Sequence, residues 1–160
     1  MNGPISILFL CRTNDARSIM AEAVLNHLGA GRIRAVSAGS MPASCVHPET
    51  VRTLSAKGYS TQTARTKSWD VFAQSDTPPA HLVITVCDDV AEETCPPWPG
   101  RPARAHWEIA DPVAETDRHD GDSYAFRATL AAVEERVRIL LARLENAASV
   151  NDLEVAARVP

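Results

Sequence analysis

The chain has 160 residues, 16 of them Lys or Arg and 20 of them Asp or Glu, for a formal net charge of −4. That length suits a single domain around one core, and an acidic balance with no basic run excludes a general nucleic-acid binder. No stretch is long enough for a membrane-crossing helix and no secretion signal opens the chain, so the expected location is the cytoplasm, where four cysteines point to redox or catalytic thiols and not to a disulfide framework.

Ile7-Leu8-Phe9-Leu10 is an apolar run of strand length that ends at Cys11. The polar segment Arg12-Thr13-Asn14-Asp15-Ala16-Arg17-Ser18 follows, and Ile19-Met20-Ala21-Glu22-Ala23-Val24-Leu25 continues a largely buried helix over about residues 16–28. Gly29 and Gly31 are available to stop it. A strand, a tight loop and a helix start therefore meet just after Cys11. Unpaired backbone N–H groups and the positive end of the helix dipole make such a loop an anion site. Arg17 can grip a tetrahedral oxyanion with two parallel hydrogen bonds. The same field favours the thiolate of Cys11, since cysteines in such settings titrate at about 3.5–7.5 instead of about 8.5. Ser18 is placed to donate to that sulfur, and Asn14 tolerates positive φ. A buried structural cysteine with a surface arginine is the competing reading, but it gives the Arg17-Ser18 pair no purpose at a helix start.

Residues 33–37 form a second predicted strand, and Ser37-Ala38-Gly39 turns the chain. His47-Pro48-Glu49 opens a second helix with Pro48 at its first position, and Gly58 ends it. Residues 66–72 are expected as a short helix or turn. Residues 82–86 are the clearest later strand, rich in β-branched residues. Cys87 follows it, and Cys95 lies beyond a short acidic loop, just before Pro96-Pro97. This pair forms a disulfide if the loop rearranges, or else consists of two ordinary buried thiols. Its spacing is wider than common zinc ligand spacings, and no metal site is expected. Cys45 has no partner at a telling spacing and is expected to be structural. Residues 105–107 suggest a fourth, short strand. Asp111-Pro112 is open to two readings, a turn residue before proline or a general acid. Phe126, Leu130, Val133, Val137, Leu140 and Leu144 give residues 123–144 the apolar stripe of a core-facing helix. Residues 146–160 carry no strong pattern and are expected to be a tail behind a domain of residues 1–145.

Strands alternating with helices imply an α/β fold, a parallel sheet with helices on both faces. Ligands in such sheets bind beyond the carboxyl ends of the strands, so the topology allows Cys11 and Cys87 to share one rim.

Cys-x5-Arg-Ser directly after a strand, followed by Met20-Ala21-Glu22-Ala23, resembles the phosphate-binding loop of the low-molecular-weight tyrosine phosphatase superfamily, which includes the thioredoxin-coupled arsenate reductases. The resemblance covers roughly residues 5–144. It implies a four-stranded parallel sheet of the low-molecular-weight phosphatase type and no cofactor. It also implies an oxyanion held by Arg12, Thr13, Asn14, Asp15, Ala16 and Arg17, with Ser18 behind the nucleophile. An Asp-Pro at this distance carries the general acid of the superfamily, here Asp111. In the reductases three thiols act in turn, and those roles fall on Cys11, Cys87 and Cys95. Arsenate is then the substrate, and thioredoxin, glutaredoxin or a small thiol the reductant. The chain departs from the pattern at several points. Val113-Ala114-Glu115 stands where the phosphatases carry tyrosines, which disfavours a phosphotyrosine substrate. Ala16 replaces a cysteine and excludes a disulfide within the loop. Thr13 fills a position often held by glycine and strains the backbone if φ must be positive. Asp15 is either a helix cap turned outward or an inward charge that weakens anion binding. Lys67 stands where some reductases use an acid to bind potassium, and offers its ammonium instead. The expected function is arsenate reduction. The alternatives are a phosphatase working through a Cys11 phosphocysteine and a non-catalytic oxyanion-binding protein.

Overall fold

β1 (Ile5–Cys11) is the centre of the molecule, paired in parallel with β2 (Ile33–Gly39) on one side and β3 (Leu82–Thr85) on the other. The computed structural model describes residues 3–116, 122–145 and 150–160. Between these strands and β4 (Ala103–His106) lie α1 (Arg17–Leu28), α2 (Pro48–Ala56), a 3₁₀ turn at Trp69–Phe72 and α3 (Asp88–Glu92), and after β4 come α4 (Pro112–Thr116), α5 (Asp122–Leu144) and α6 (Val150–Ala157). The sheet has four strands in the order β2-β1-β3-β4, all parallel. Parallel strands need crossovers, and the crossover helices cover both faces, which is why β1 reads as a continuous apolar run without alternation. Ile7, Leu8, Phe9 and Leu10 are all fully buried.

The parallel arrangement brings every strand's carboxyl end to one rim. Cys11 lies opposite Gly39, and Thr85 pairs with both Leu10 and His106. β2 runs past the predicted end at residue 37 because Ser37, Ala38 and Gly39 stay in register with Phe9, Leu10 and Cys11. Gly39 is required there. A Cβ on it would sit 2.5 Å from the Arg12 carbonyl oxygen and 3.0 Å from Asn14 Cβ, so any side chain would push the loop off the sheet. Helix α2 starts as predicted, with Pro48 in its first turn, and the His47 ring accepts from the Glu49 N–H at 3.2 Å.

Two short helices were not predicted. The acidic loop expected between Cys87 and Cys95 contains α3, and Asp111-Pro112 leads into α4. Five residues are too few to show a period. The expected tail also holds structure. Residues 146–149 lie outside the described residues, but α6 packs on β3, β4 and α5. Leu153 and Ala157 are fully buried, and the Ala157 carbonyl accepts from Trp107 Nε1 at 2.9 Å. Trp107 follows β4, fully buried, with its ring 5.5 Å from that of Phe9. Residues 150–160 therefore complete the core. Two helical turns carry too few apolar residues to announce this, and the partner that explains them, Trp107, is distant in sequence.

Among the described residues no helix is long and apolar enough to cross a membrane.

If α6 closes the core, Leu153→Ala should cost about 2–5 kcal/mol, the usual range for a buried leucine. Urea unfolding measures this, and a change within about 0.5 kcal/mol, the usual range for surface substitutions, would mean that α6 frays from the sheet.

Candidate active site

The loop from Cys11 to Arg17 is held from outside by its carbonyls and from inside by one side chain. Met41 N–H donates to the Arg12 carbonyl at 2.9 Å, Ala43 N–H to that of Thr13 at 2.9 Å, and His47 N–H to that of Asp15 at 3.1 Å. The Thr50 hydroxyl adds a second bond to Asp15 O at 2.9 Å. A planar peptide points its N–H opposite to its C=O, so the N–H groups of Thr13, Asn14 and Ala16 turn away from that outer segment. The Thr13 N–H is bonded to the Cys11 sulfur.

Asn14 is fully buried and holds the inner side. Its Oδ1 accepts from the Lys67 backbone N–H at 2.8 Å, which fixes which end of the amide is which. Its Nδ2 donates to Ser18 Oγ at 2.8 Å and to Ser37 Oγ at 3.0 Å. Ser37 in turn donates to the Glu22 carboxylate. The Lys67 ammonium lies 3.4 Å from Glu22 Oε2 and 2.9 Å from the Arg65 carbonyl. Ser18, also fully buried, accepts from Asn14, which leaves its own proton to be donated. Glu22, Ser37 and Lys67 come from α1, from β2 and from the loop before the 3₁₀ turn. Nothing local in the sequence marks Glu22 or Ser37 as partners of the loop.

The doubtful loop residues resolve simply. Positive φ falls on Asn14, at 51°, and not on Thr13. Asparagine tolerates that region. The Asp15 carboxylate accepts from the Thr13 hydroxyl at 2.5 Å, and the residue at the helix start is Ala16, with no side-chain cap.

Arg17 comes from the first turn of α1 and spans the rim. Its Nη1 donates to the Ile109 carbonyl at 3.1 Å, and its Nη2 lies 3.3 Å from Asp111 Oδ2. Asp111 Oδ1 accepts from the Val113 N–H at 3.0 Å, so one carboxylate both starts α4 and faces the loop arginine. The two sequence readings of Asp111 are compatible in this geometry. Arg12 points the other way, to Met41 Sδ at 3.4 Å and Asp89 at 3.7 Å.

Cys11 and Cys87 are both buried, and their thiols act on each other. Cys11, against the effect of burial, brings the Cys87 thiol down to about 6, helped by the Val90 N–H of α3, by Arg17 and by the Arg12 N–H. Cys87 and burial push Cys11 up, against Arg17 and the Thr13 N–H. Charge was expected on Cys11 alone. In this structure Cys11 and Cys87 titrate as a pair, and the loop field acts on both sulfurs. Cys95 stands apart beyond α3, half-buried, and burial raises its thiol. Cys45, expected to be structural, is exposed. Among the described residues no group of three or more His, Cys, Asp or Glu side chains is placed to hold a metal ion.

A parallel sheet whose central strand ends in this loop defines a class. The chain matches the low molecular weight phosphotyrosine protein phosphatase family over residues 6–150 and belongs to it. Within that family its relatives include reductases. It is 30% identical over 139 residues to a glutaredoxin arsenate reductase of Synechocystis, covering 86% of this chain and 97% of the relative. A solved arsenate reductase in a phosphate-binding state superposes with a TM-score of 0.69 at 28% identity, over 86% of this chain and 97% of the other. The thioredoxin-dependent arsenate reductase of Corynebacterium glutamicum superposes with a TM-score of 0.64 at 27% identity, over 90% of this chain and 63% of the other.

Alkylation against pH checks the coupling. Cys87 should react with a midpoint near 6 in the native protein. Removing its neighbour, Cys11→Ala, should move that midpoint up toward the free-cysteine value of about 8.5. A midpoint that stays put would show that the two thiols titrate independently.

Proposed function

We propose that the protein reduces arsenate to arsenite by a thiol–disulfide relay through Cys11, Cys87 and Cys95. The observation that carries this is the pairing of the buried Cys11 and Cys87 thiols at the anion loop. Ester hydrolysis through a phosphocysteine uses one thiol. Two thiols that act on each other beside an anion loop are what a two-electron reduction needs.

Arsenate binds with its oxygens on the loop N–H groups and on the Arg17 guanidinium, which releases Asp111 from its ion pair. The Cys11 sulfur attacks arsenic, an As–S bond forms, and one oxygen departs as water. Asp111 takes up the proton that the thiols release and passes it to that oxygen, so the thiol proton leaves in the water. The Cys87 thiolate then attacks the Cys11 sulfur. The S–S bond forms, the S–As bond breaks, and its electron pair stays on arsenic as arsenite. Arsenic gains two electrons and the two sulfurs lose them. Cys95 next attacks Cys87, freeing Cys11 as a thiolate, and the Cys87–Cys95 disulfide is reduced by an external thiol. Relatives named for glutaredoxin and for thioredoxin support a protein dithiol or a small thiol in that place.

A phosphatase reading is favoured by one feature, the Asp111 carboxylate opposite Arg17. It requires Cys11 but neither of the other thiols.

Steady-state arsenate reduction, with disulfides mapped by mass spectrometry after one turnover, separates the two. Cys11→Ser should abolish activity, Cys87→Ser should halt with arsenic on Cys11, and Cys95→Ser should stop after one turnover with a Cys11–Cys87 disulfide. Full activity in both Cys87→Ser and Cys95→Ser would remove the relay, and surviving phosphatase activity would put the phosphatase in its place.

Asp111→Asn keeps an oxygen for the Val113 N–H but has no proton to give. Single-turnover arsenite formation should slow by roughly 10²–10⁴-fold, and an unchanged rate would leave Asp111 as a turn residue only.

A further inference from the structure

Outside the anion loop, one cavity gathers around Cys95 several groups that the steps above leave unused. It has a volume of about 310 Å³ and is lined by Cys95, Thr85, Arg104, His106 and Trp98, among others. Val83 and Thr85 of β3 pair with Arg104 and His106 of β4, so these four side chains emerge on one face of the sheet, under the segment that carries Cys95.

The His106 ring is held at both nitrogens. Nε2 lies 2.9 Å from Asp88 Oδ1, and Nδ1 lies 2.7 Å from Thr85 Oγ1. A carboxylate only accepts, so Nε2 carries the hydrogen and Nδ1 accepts from the threonine hydroxyl. That hydroxyl has a second acceptor, the Ala105 carbonyl at 3.5 Å. It can therefore turn from His106 to Ala105, and Nδ1 is then open to a proton.

We propose that Cys95 is made reactive by proton transfer through Thr85 to His106, with Arg104 placed to hold the resulting thiolate. This rests on the relay proposed above and concerns its third thiol. In the step, Cys95 loses its proton to Thr85 Oγ1 as Thr85 passes its own to His106 Nδ1. The Cys95 sulfur then attacks Cys87. The Cys95–Cys87 bond forms, the Cys87–Cys11 bond breaks, and its electron pair leaves on Cys11. The disulfide moves and no net oxidation occurs. The imidazolium keeps both partners, Asp88 at Nε2 and Thr85 at Nδ1, while the threonine hydroxyl donates to Ala105.

The third thiol needs such help. Burial pushes Cys95 up, Arg104 pulls it down, and Glu93 pushes it up. Neither the helix start nor the arginine that serves the first two thiols acts on it. The charged groups around this cavity are Asp88 of α3, Glu93 just beyond α3 and Arg104 of β4. Arg104 has no carboxylate partner among the described residues. Asp88 is the residue after Cys87, so it positions His106 from the segment that carries the attacked sulfur.

The test is a single turnover with arsenate across pH, following arsenite release and the Cys87–Cys95 disulfide separately. His106→Gln should release arsenite at the native rate, which also reports intact folding. Its disulfide transfer at pH 7 should be slower by roughly 10²-fold, the low end for a lost general base, and should climb with pH until it meets the native curve. Asp88→Asn and Thr85→Val should shift the same limb in the same direction by smaller amounts. Transfer at the native rate in His106→Gln, or a deficit of equal size at every pH, overturns the proposal. A native protein that releases arsenite without ever forming the Cys87–Cys95 disulfide overturns the relay itself, and this step with it.

Discussion

Everything at the rim depends on how the Asn14 amide is held. It is buried inside a loop that would otherwise have no interior support, and its hydrogen bonds reach the backbone of Lys67 and the hydroxyls of Ser18 and Ser37. A left-handed residue costs strain, and this one is over-determined by those bonds. The direction of the chain matters as much as its existence. Because Ser37 donates to Glu22, it must accept from Asn14. Because Asn14 donates to Ser18, the Ser18 proton is left for the loop centre. Glu22 is paired with the largely buried Lys67 ammonium. Removing either charge would leave the other unpaired beneath the anion site, and an unpaired buried charge is costly.

A positive loop need not place its negative charge on the nearest thiol. Cys11 has Arg17 and the Thr13 N–H, but Cys87 has Arg17, the Val90 and Arg12 N–H groups and the influence of Cys11 itself. Neither sulfur can titrate without the other. A pair like this carries one charge over a broad range around neutrality. For the proposed chemistry that is useful, since each sulfur must act as a nucleophile once, in turn.

The sheet, the loop and the helix start were legible because each rests on local pattern. An apolar run gives β1, a polar break marks the loop, and Cys-x5-Arg-Ser names the chemistry. Pro48 and Gly58 punctuate α2 as expected, with Gly58 at a φ of +81°. What was not legible depends on contacts distant in sequence. Glu22 looks like any helix surface residue until Ser37 and Lys67 are brought to it. His106 looks like part of a short strand until Asp88 and Thr85 meet its ring. The pairing of Cys11 with Cys87 needs the whole parallel register. The short helices α3 and α4 and the closing helix α6 are too brief for a period to speak, and tertiary packing decides them.

The contact of α6 with Trp107 bears on when the molecule can become itself. Trp107 joins the sheet side of the core to the Ala157 carbonyl, and Leu153, Ala156 and Val159 cover the neighbouring surface. These residues follow all four strands in the chain. The surface that covers this large indole is therefore the part of the core furthest along the chain from the strands it seals. The anion loop and both of its thiols precede α6, so the reactive residues are synthesised before the helix that shields Trp107.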